Sequence, residues 1–311
     1  MTTEDANTAL RSQIRGQLRI PVVAAPMFLV SGPDLVINAC RAGIVGSFPT
    51  LNARTLEILD DWLTRIAAET AGFAPYAANL ILHKSNTRRD ADLDLVIRHR
   101  VPWVIASVGS PEQVAKAVHG YGGLVFADVA TLRHAKKAVA SGVDGLILLT
   151  AGAGGNTGWL NPFAFIAAVR EFYDGPIALA GCITQGHELR ALEILDADLG
   201  YMGSAFLAAT ESLAPDEHKQ AVLAAGPDDI LLTAAVTGMP ANFVRSRLEE
   251  AGLINADGTV QPAAYADDIF SWKNVWSAGQ GVGPVTAIED VASIVARLEA
   301  GYRVSNSAPA A

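Results

Sequence analysis

Gly181, Gly203 and Ser204 are the residues whose types and positions most clearly suggest a chemical role. The two glycines directly follow short apolar runs, and glycine lets the backbone approach a ligand closely. The Ser204 hydroxyl adds a polar group at the start of a helical pattern. Backbone N–H groups at such positions can bind phosphate, although the same glycines could serve only to make tight turns between a strand and a helix.

The segment from Gly152 to Gly158 contains four glycines in seven residues. A dinucleotide-binding fingerprint, G-x-G-x-x-G, would need its third glycine at position 157, which is occupied by Thr157. The segment also lies in the middle of the chain, so we reject a Rossmann-type site. We predict instead a flexible glycine-rich loop beside a ligand, since a plain turn does not require so many glycines.

Among the titratable side chains, His83 is the candidate for acid–base catalysis, because it follows the third apolar run and imidazole exchanges protons near neutral pH. The alternative is a solvent-exposed loop histidine. Lys84 could attract an anionic substrate or be an ordinary surface lysine. The other histidines fall on predicted helices or at their ends, away from the strand ends, and no residue spacing suggests a metal site. They are His99, His119, His134, His187 and His218.

Eight short apolar runs carry these candidates at their ends, and such runs are typical of parallel strands that are buried on both faces. Predicted helices separate them, which indicates a parallel α/β sheet. Eight such units favour closure into a (β/α)₈ TIM barrel, whose active site lies at the carboxyl ends of the strands. The runs are residues 22–25, 44–47, 77–82, 104–107, 124–127, 146–150, 177–180 and 199–202.

The alternation stops after the eighth run. We predict that residues 1–210 and 276–302 form the barrel, that 211–275 form a helical insertion over one end, and that 303–311 form a flexible tail. The insertion could shape a substrate pocket. Its large side chains could line that pocket or form the core of the insertion itself: Met239, Phe243, Tyr265, Trp272 and the nearby Trp276.

Composition excludes several other classes of protein. The 311 residues carry a net charge of −9 and no Lys/Arg run, which argues against nucleic-acid binding. No apolar stretch is long enough to span a membrane, and the first residues lack the apolar core of a signal peptide. The two cysteines are far apart, Cys40 and Cys182, which fits a reducing, cytoplasmic setting.

Taken in order along the chain, the strand-end motifs resemble the nitronate monooxygenase (2-nitropropane dioxygenase) family. The resemblance runs from about Ile20 to Leu298. Four motifs carry it, and the segments Phe126–Ala135 and Ser277–Gln280 are also similar to the family. The four are Ala25-Pro26-Met27, Gly152-Ala153-Gly154-Gly155, Ala180-Gly181 and Met202-Gly203-Ser204.

The resemblance implies a flavin mononucleotide (FMN) cofactor. Its phosphate would bind the loops after the seventh and eighth strands, and its ring would lie near Pro26 and Met27, with Asn79 and Asp128 lining the pocket. The cofactor-binding residues that we expect are Ala25, Pro26, Met27, Asn79, Asp128, Gly154, Gly155, Ala180, Gly181, Gly203, Ser204 and Gln280.

The sequence departs from the family pattern at two positions. Family members typically have histidine after the sixth-strand glycines, where this chain has Asn156, our second candidate catalytic residue. An amide cannot take a proton at neutral pH, so Asn156 permits oxidation of a nitronate, which is already an anion, but not base-dependent oxidation of a neutral nitroalkane. Cys182 stands where the family usually has glycine, as a tolerated small residue or a reactive thiol.

Three functions stay open on the sequence. The first is FMN-dependent oxidation of an alkyl nitronate by O₂, and the second is FMN-dependent reduction of an enoyl thioester or a quinone by NAD(P)H. The third is a barrel that binds a phosphorylated ligand without redox catalysis, because fold alone does not decide the chemistry. A small-molecule substrate is expected in each case, and the oligomeric state is open, a homo-oligomer included.

Overall fold

Eight parallel strands close into a barrel, as the alternation of strands and helices predicts. The computed structural model describes residues 3–262 and 275–304. Each barrel strand pairs with the next, and β9 pairs with β1, so the ring has no open edge. All eight lie within two residues of the predicted runs: β1 (Val22–Ala24), β2 (Val45–Pro49), β3 (Tyr76–Ile81), β4 (Trp103–Ser107), β5 (Leu124–Val129), β6 (Gly145–Leu149), β8 (Ile177–Ala180) and β9 (Leu199–Met202).

Amphipathic helices surround the barrel. Three of them begin where a side-chain oxygen of Thr55, Thr131 or Asn161 accepts a hydrogen bond from a backbone N–H of the first turn. The surrounding helices are α2 (Pro33–Arg41), α3 (Leu56–Glu69), α4 (Arg89–Arg98), α5 (Glu112–His119), α6 (Leu132–Ala140), α7 (Pro162–Arg170), α8 (Gly186–Ile194) and α12 (Val291–Val304).

The buried apolar residues form two main layers. One lies between the strands and the helices, and the other fills the barrel interior. In the interior, the rings of Trp103 and Phe126 stack with centroids 4.8 Å apart. Strands buried on both faces explain why the sequence shows continuous apolar runs rather than alternation.

A helix that the sequence analysis did not predict, α1 (Thr3–Gly16), closes the amino-terminal end of the barrel. Ile14 is 1% exposed and belongs to the same apolar cluster as the interior residues Val23 and Val45. Leu10, one turn before Ile14, packs against that cluster, and Leu18, just after the end of the helix, belongs to it. Their spacing of four residues was a readable helical signal.

The insertion after β9 contains helices and also strands that the sequence did not predict. It includes α9 (Ser204–Leu207), α10 (Asp216–Ala224) and α11 (Arg245–Glu250). It also includes β10 (Ile230–Thr233) and β11 (Ala241–Val244), which pair antiparallel. A two-residue strand from the loop after β6, β7 (Gly155–Asn156), extends this sheet in the order β10-β11-β7.

The predicted boundaries of the insertion and the tail, 211–275 and 303–311, fall partly outside the described residues and stay predictions. Tyr265 and Trp272 also lie outside the described residues. In the described part of the chain, no helix is both long and apolar enough to cross a bilayer.

Candidate active site

A cavity of about 910 Å³ opens at the carboxyl ends of the barrel strands. Its wall contains every candidate site residue from the sequence analysis except Gln280. Barrels bind their ligands at this end, because the loops after the strands vary while the strands hold them in place. A volume near the upper end of typical small-molecule sites leaves space for a cofactor and a substrate together.

The ends of β8 and β9, the seventh and eighth barrel strands, present unused backbone donors. Among the described residues, the N–H groups of Cys182, Ile183, Gly203 and Ser204 donate to no protein acceptor. The Thr184 hydroxyl is also buried without a partner. Buried polar groups are normally paired, so this cluster of donors indicates a site for an anionic ligand.

The structure explains the residue types at two predicted cofactor positions, Gly181 and Ser204, in different ways. Gly181 has a φ of +126°, and a Cβ there would lie 2.5 Å from the Thr150 hydroxyl oxygen, so a larger residue does not fit. Ser204 accepts a hydrogen bond from the Gly279 N–H at 2.9 Å, which leaves its own O–H free to donate. A Cβ at Gly203 would only touch Met27, at 3.7 Å.

Asn79, Ser107 and Asp128 form a directional chain of hydrogen bonds in the cavity wall. Asn79 Nδ2 donates to Ser107 Oγ at 2.6 Å, and Ser107 Oγ donates to Asp128 Oδ2 at 2.5 Å. Burial raises the pKa of the Asp128 carboxyl to about 6, although the Ser107 hydrogen bond lowers it. The chain therefore ends at a carboxylate that can accept hydrogen bonds from a ligand.

The segment after β1 is held rigidly at the cavity. Asn52 Nδ2 donates to the Met27 carbonyl oxygen at 3.0 Å, and the Met27 N–H donates to Ser31 Oγ at 2.9 Å. Leu29 adopts a φ of 65°, in the left-handed region that costs a side chain about 1 kcal/mol or more. Such strain is retained where the surrounding structure fixes a ligand-contacting loop.

The glycine-rich loop after β6 packs directly against the backbone of the loop from Trp276 to Gly283. A Cβ at Gly154 would lie 2.7 Å from the Gly279 nitrogen, so the two backbones touch. The Gln280 N–H donates to the Gly152 carbonyl oxygen at 2.9 Å, while the Gln280 residue itself is exposed. Gln280 thus supports the loop from outside the cavity wall.

Asn156 projects from β7 into the cavity wall without any protein partner for its side chain. Its Oδ1 is buried and accepts no hydrogen bond, and its Nδ2 donates to none among the described residues. Its backbone is fixed, because Asn156 pairs with Ala241 and Thr157 donates to the Pro240 carbonyl at 3.1 Å. A held backbone with a free amide is suited to binding a polar group of a ligand.

His83 lies at the exposed lip of the cavity rather than deep within it. Its Nδ1 is 2.7 Å from Ser85 Oγ and accepts a hydrogen bond from the Ser85 N–H at 3.3 Å. Lys84 is exposed beside it. The structure therefore brings His83 to the cavity, but at the solvent end, and its catalytic role stays a prediction.

The prediction that His218 lies away from the strand-end face is wrong. Helix α10 brings His218 into the cavity wall, where its ring stacks on Trp276 with centroids 4.8 Å apart. The guanidinium of Arg247 lies over the ring of Trp276, 3.7 Å from the ring centroid. Burial lowers the pKa of His218 to about 4, although the Ser277 carbonyl contact raises it. The insertion was predicted to lie over one end of the barrel, but no sequence spacing showed that it turns His218 toward the cavity.

The large side chains that were candidates for the substrate pocket separate into two groups. Met239 and Trp276 line the cavity, whereas Phe243 is fully buried in the core of the insertion. Cys182 lines the cavity with a φ of 56°, where glycine would be unstrained, and burial raises the pKa of its thiol. A thiol with a raised pKa is a poor nucleophile, which favours the interpretation of a tolerated small residue.

The described residues contain no group of three or more His, Cys, Asp or Glu side chains that could hold a metal ion.

Comparison with known proteins gives two kinds of relative. The first is a "(3aS,4S,5R,7aS)-5-hydroxy-7a-methyl-1-oxo-octahydro-1H-indene-4-carboxyl-CoA dehydrogenase" of Rhodococcus jostii, 28% identical over 73% of this chain. The chain spans only 63% of the length of that relative. The second is a nitronate monooxygenase of Paraburkholderia phytofirmans, 26% identical over 79% of this chain and 78% of the relative.

The fold is shared with a solved nitroalkane oxidase from Streptomyces ansochromogenes. That structure matches with a TM-score of 0.83 at 26% identity, over 95% of this chain and 99% of the other. The family model described as nitronate monooxygenase matches residues 12–278. Because this match covers most of the barrel and the cavity loops, the chain belongs to the nitronate monooxygenase family.

Proposed function

We propose that this protein is an FMN-dependent oxidoreductase that oxidises an alkyl nitronate, with O₂ as the final electron acceptor. The observation that carries the proposal is Asn156, whose amide has no hydrogen-bond partner among the described residues and stands where the family resemblance implies a histidine base. When bound, FMN supplies the electron acceptor for the nitronate and the electron donor for O₂.

The residues in the cavity wall fit FMN. The four free N–H groups after β8 and β9 and the orphaned Thr184 hydroxyl match the acceptors of a phosphate. Asn79 and Asp128 offer polar groups to the ring or the ribityl chain, and Pro26 and Met27 offer an apolar surface. The aromatic Trp276 and the insertion would then border the remaining space.

Substrate binding rests on donors rather than on a base. The Asn156 amide can donate to a nitronate oxygen, and because a nitronate has already lost its α-proton, no group must remove it. The His218 imidazole, whose pKa is lowered to about 4, stays neutral at physiological pH and is a weak proton acceptor. Both residues therefore favour the anion over the neutral nitroalkane as substrate.

The test is anaerobic reduction of the purified, FMN-loaded protein, followed by visible absorbance. We expect ethylnitronate to bleach the flavin and nitroethane to bleach it far more slowly. Equal rates for the two would contradict the role given to Asn156. A colourless protein that does not take up added FMN would remove the flavin assignment and leave a barrel that binds another phosphorylated ligand.

A second candidate is reduction of an enoyl thioester or a quinone with NAD(P)H. The observation that favours it is the relative named as a carboxyl-CoA dehydrogenase, whose substrate is a thioester. The same cavity, without a base at position 156, is compatible with hydride chemistry. Rapid bleaching by NADH or NADPH, with none by ethylnitronate, would select this candidate.

A further inference from the structure

Strand β11 of the insertion makes hydrogen bonds to both loops that border the substrate side of the cavity. It pairs with β7 through Ala241 opposite Asn156 and Asn242 opposite Gly155. Its last residue, Val244, donates through its N–H to the Trp276 carbonyl oxygen at 2.9 Å. The insertion is thus hydrogen-bonded to the segment that presents Asn156.

Asn242 adds a side-chain bond to this backbone pairing. It is 1% exposed, and its Nδ2 donates to the Ala153 carbonyl oxygen at 2.7 Å. Its Oδ1 is buried and has no partner in the described part of the chain. Burying an amide with one unsatisfied oxygen is unfavourable, so an apolar residue would serve a purely structural role better.

We propose that Asn242 is a positioning residue that holds the loop after β6 so that the Asn156 amide faces the substrate. The inference rests on the proposed function, in which Asn156 binds the substrate. Asn242 fixes Ala153, three residues before Asn156, while the β11 backbone fixes Gly155 and Asn156 themselves. The Asn156 side chain makes no hydrogen bond to any described residue, so its orientation depends on this support.

The test compares Asn242→Ala with a matched control, Asn255→Ala. Asn255 is also in the insertion, is exposed, and bonds only to Thr259, at 2.9 Å, through its side chain. We expect N242A to lower kcat/KM for the nitronate by about 10-fold, mainly through KM, because small misplacements of a binding group reduce rates strongly. The FMN affinity of N242A should stay within about twofold of that of the unmodified protein. For N255A, both kcat/KM and FMN affinity should stay within about twofold of the unmodified values.

A double-mutant cycle separates positioning from general destabilisation. If Asn242 acts through Asn156, N242A should have little further effect on kcat/KM in an Asn156→Ala background. Full additivity of the two changes would overturn the proposal. Asn242→Ser, which keeps a small donor, should restore part of the loss, and it replaces N242A throughout if N242A does not fold.

Hydrogen–deuterium exchange of the segment 150–158 in the FMN-loaded protein gives a readout that does not depend on the reaction. Exchange there should be faster in N242A, or in N242S to a smaller extent, than in N255A. Unchanged exchange would contradict the proposal. If the protein oxidises no nitronate, the proposed function fails, whereas the exchange result still decides whether Asn242 holds the loop.

Discussion

Two walls of the same cavity present different kinds of chemical group. The wall at the ends of β8 and β9 offers backbone N–H groups of barrel loops, whereas the wall at the insertion offers the side chains Asn156, His218 and Trp276. Backbone donors are insensitive to most substitutions, provided that the chain can adopt the required conformation. A substitution at the second wall replaces the binding group itself. The first wall is therefore suited to a cofactor that stays the same, and the second to a substrate that can differ between related proteins.

The largest expected effect is at the backbone wall. Gly181→Val places a branched side chain at a φ of +126°, with its Cβ 2.5 Å from Thr150 Oγ1. The strain costs about 1–3 kcal/mol, and relieving it must displace the donors of the loop. We expect the purified variant to lose its FMN absorbance, while Gly16→Ala, whose Cβ meets nothing within 4 Å, retains it. Equal retention by both would mean that the backbone wall does not bind the cofactor.

At the side-chain wall, one substitution should change the chemistry. Asn156→His introduces the base that the family resemblance implies, so kcat/KM for nitroethane should rise by about 100-fold. Oxidation of ethylnitronate should change far less, because it needs no base. Asn156→Gln is the matched control and should gain nothing with nitroethane. If kcat/KM for nitroethane rises in Asn156→Gln but not in Asn156→His, the site recognises the size of the side chain rather than its basicity.

The Asp128 carboxyl, which lines the cavity, should affect how the free energy of unfolding depends on pH. Asp128 has a folded-state pKa raised to about 6, so the unfolded chain releases this proton at lower pH, and the folded state loses stability as pH rises from about 4 to 6. In flavin-free protein, Asp128→Asn should therefore be more stable than the unmodified chain by about 3 kcal/mol at pH 8. At pH 4 the difference should disappear. Urea unfolding at the two pH values measures it, and a gap independent of pH would refute the assignment.

The smallest expected effect concerns Cys182, whose φ of 56° disfavours a side chain. Cys182→Gly relieves strain of about 1–2 kcal/mol but adds the conformational entropy of glycine in the unfolded chain, for a net gain of about 0.5–1 kcal/mol. Cys182→Ala keeps the strain and is the control. Unfolding free energies of the two variants give the difference, and FMN affinity in C182A should be unchanged if only backbone donors matter.

The contrast between the walls also explains which parts of the structure were predictable from sequence. The barrel strands and the glycines that follow them were located to within two residues, because double-sided burial and tight turns leave local signals. The pairing of Gly155–Asn156 with Ala241–Val244 has no local signal, since it joins segments more than eighty residues apart. For the same reason the place of His218 in the wall was missed, while the helix α1 was readable from Leu10, Ile14 and Leu18.

Because helix α1 closes the amino-terminal end of the barrel, it constrains the order in which ligands bind and leave. Because α1 fills the amino-terminal end with Ile14, ligands reach the cavity past the carboxyl ends of the strands, where the insertion also lies. If flavin occupies the backbone wall, a bound substrate stands between it and that route. Substrate occupancy should then lengthen the residence time of the cofactor, so that the working enzyme retains its flavin longer than the resting one.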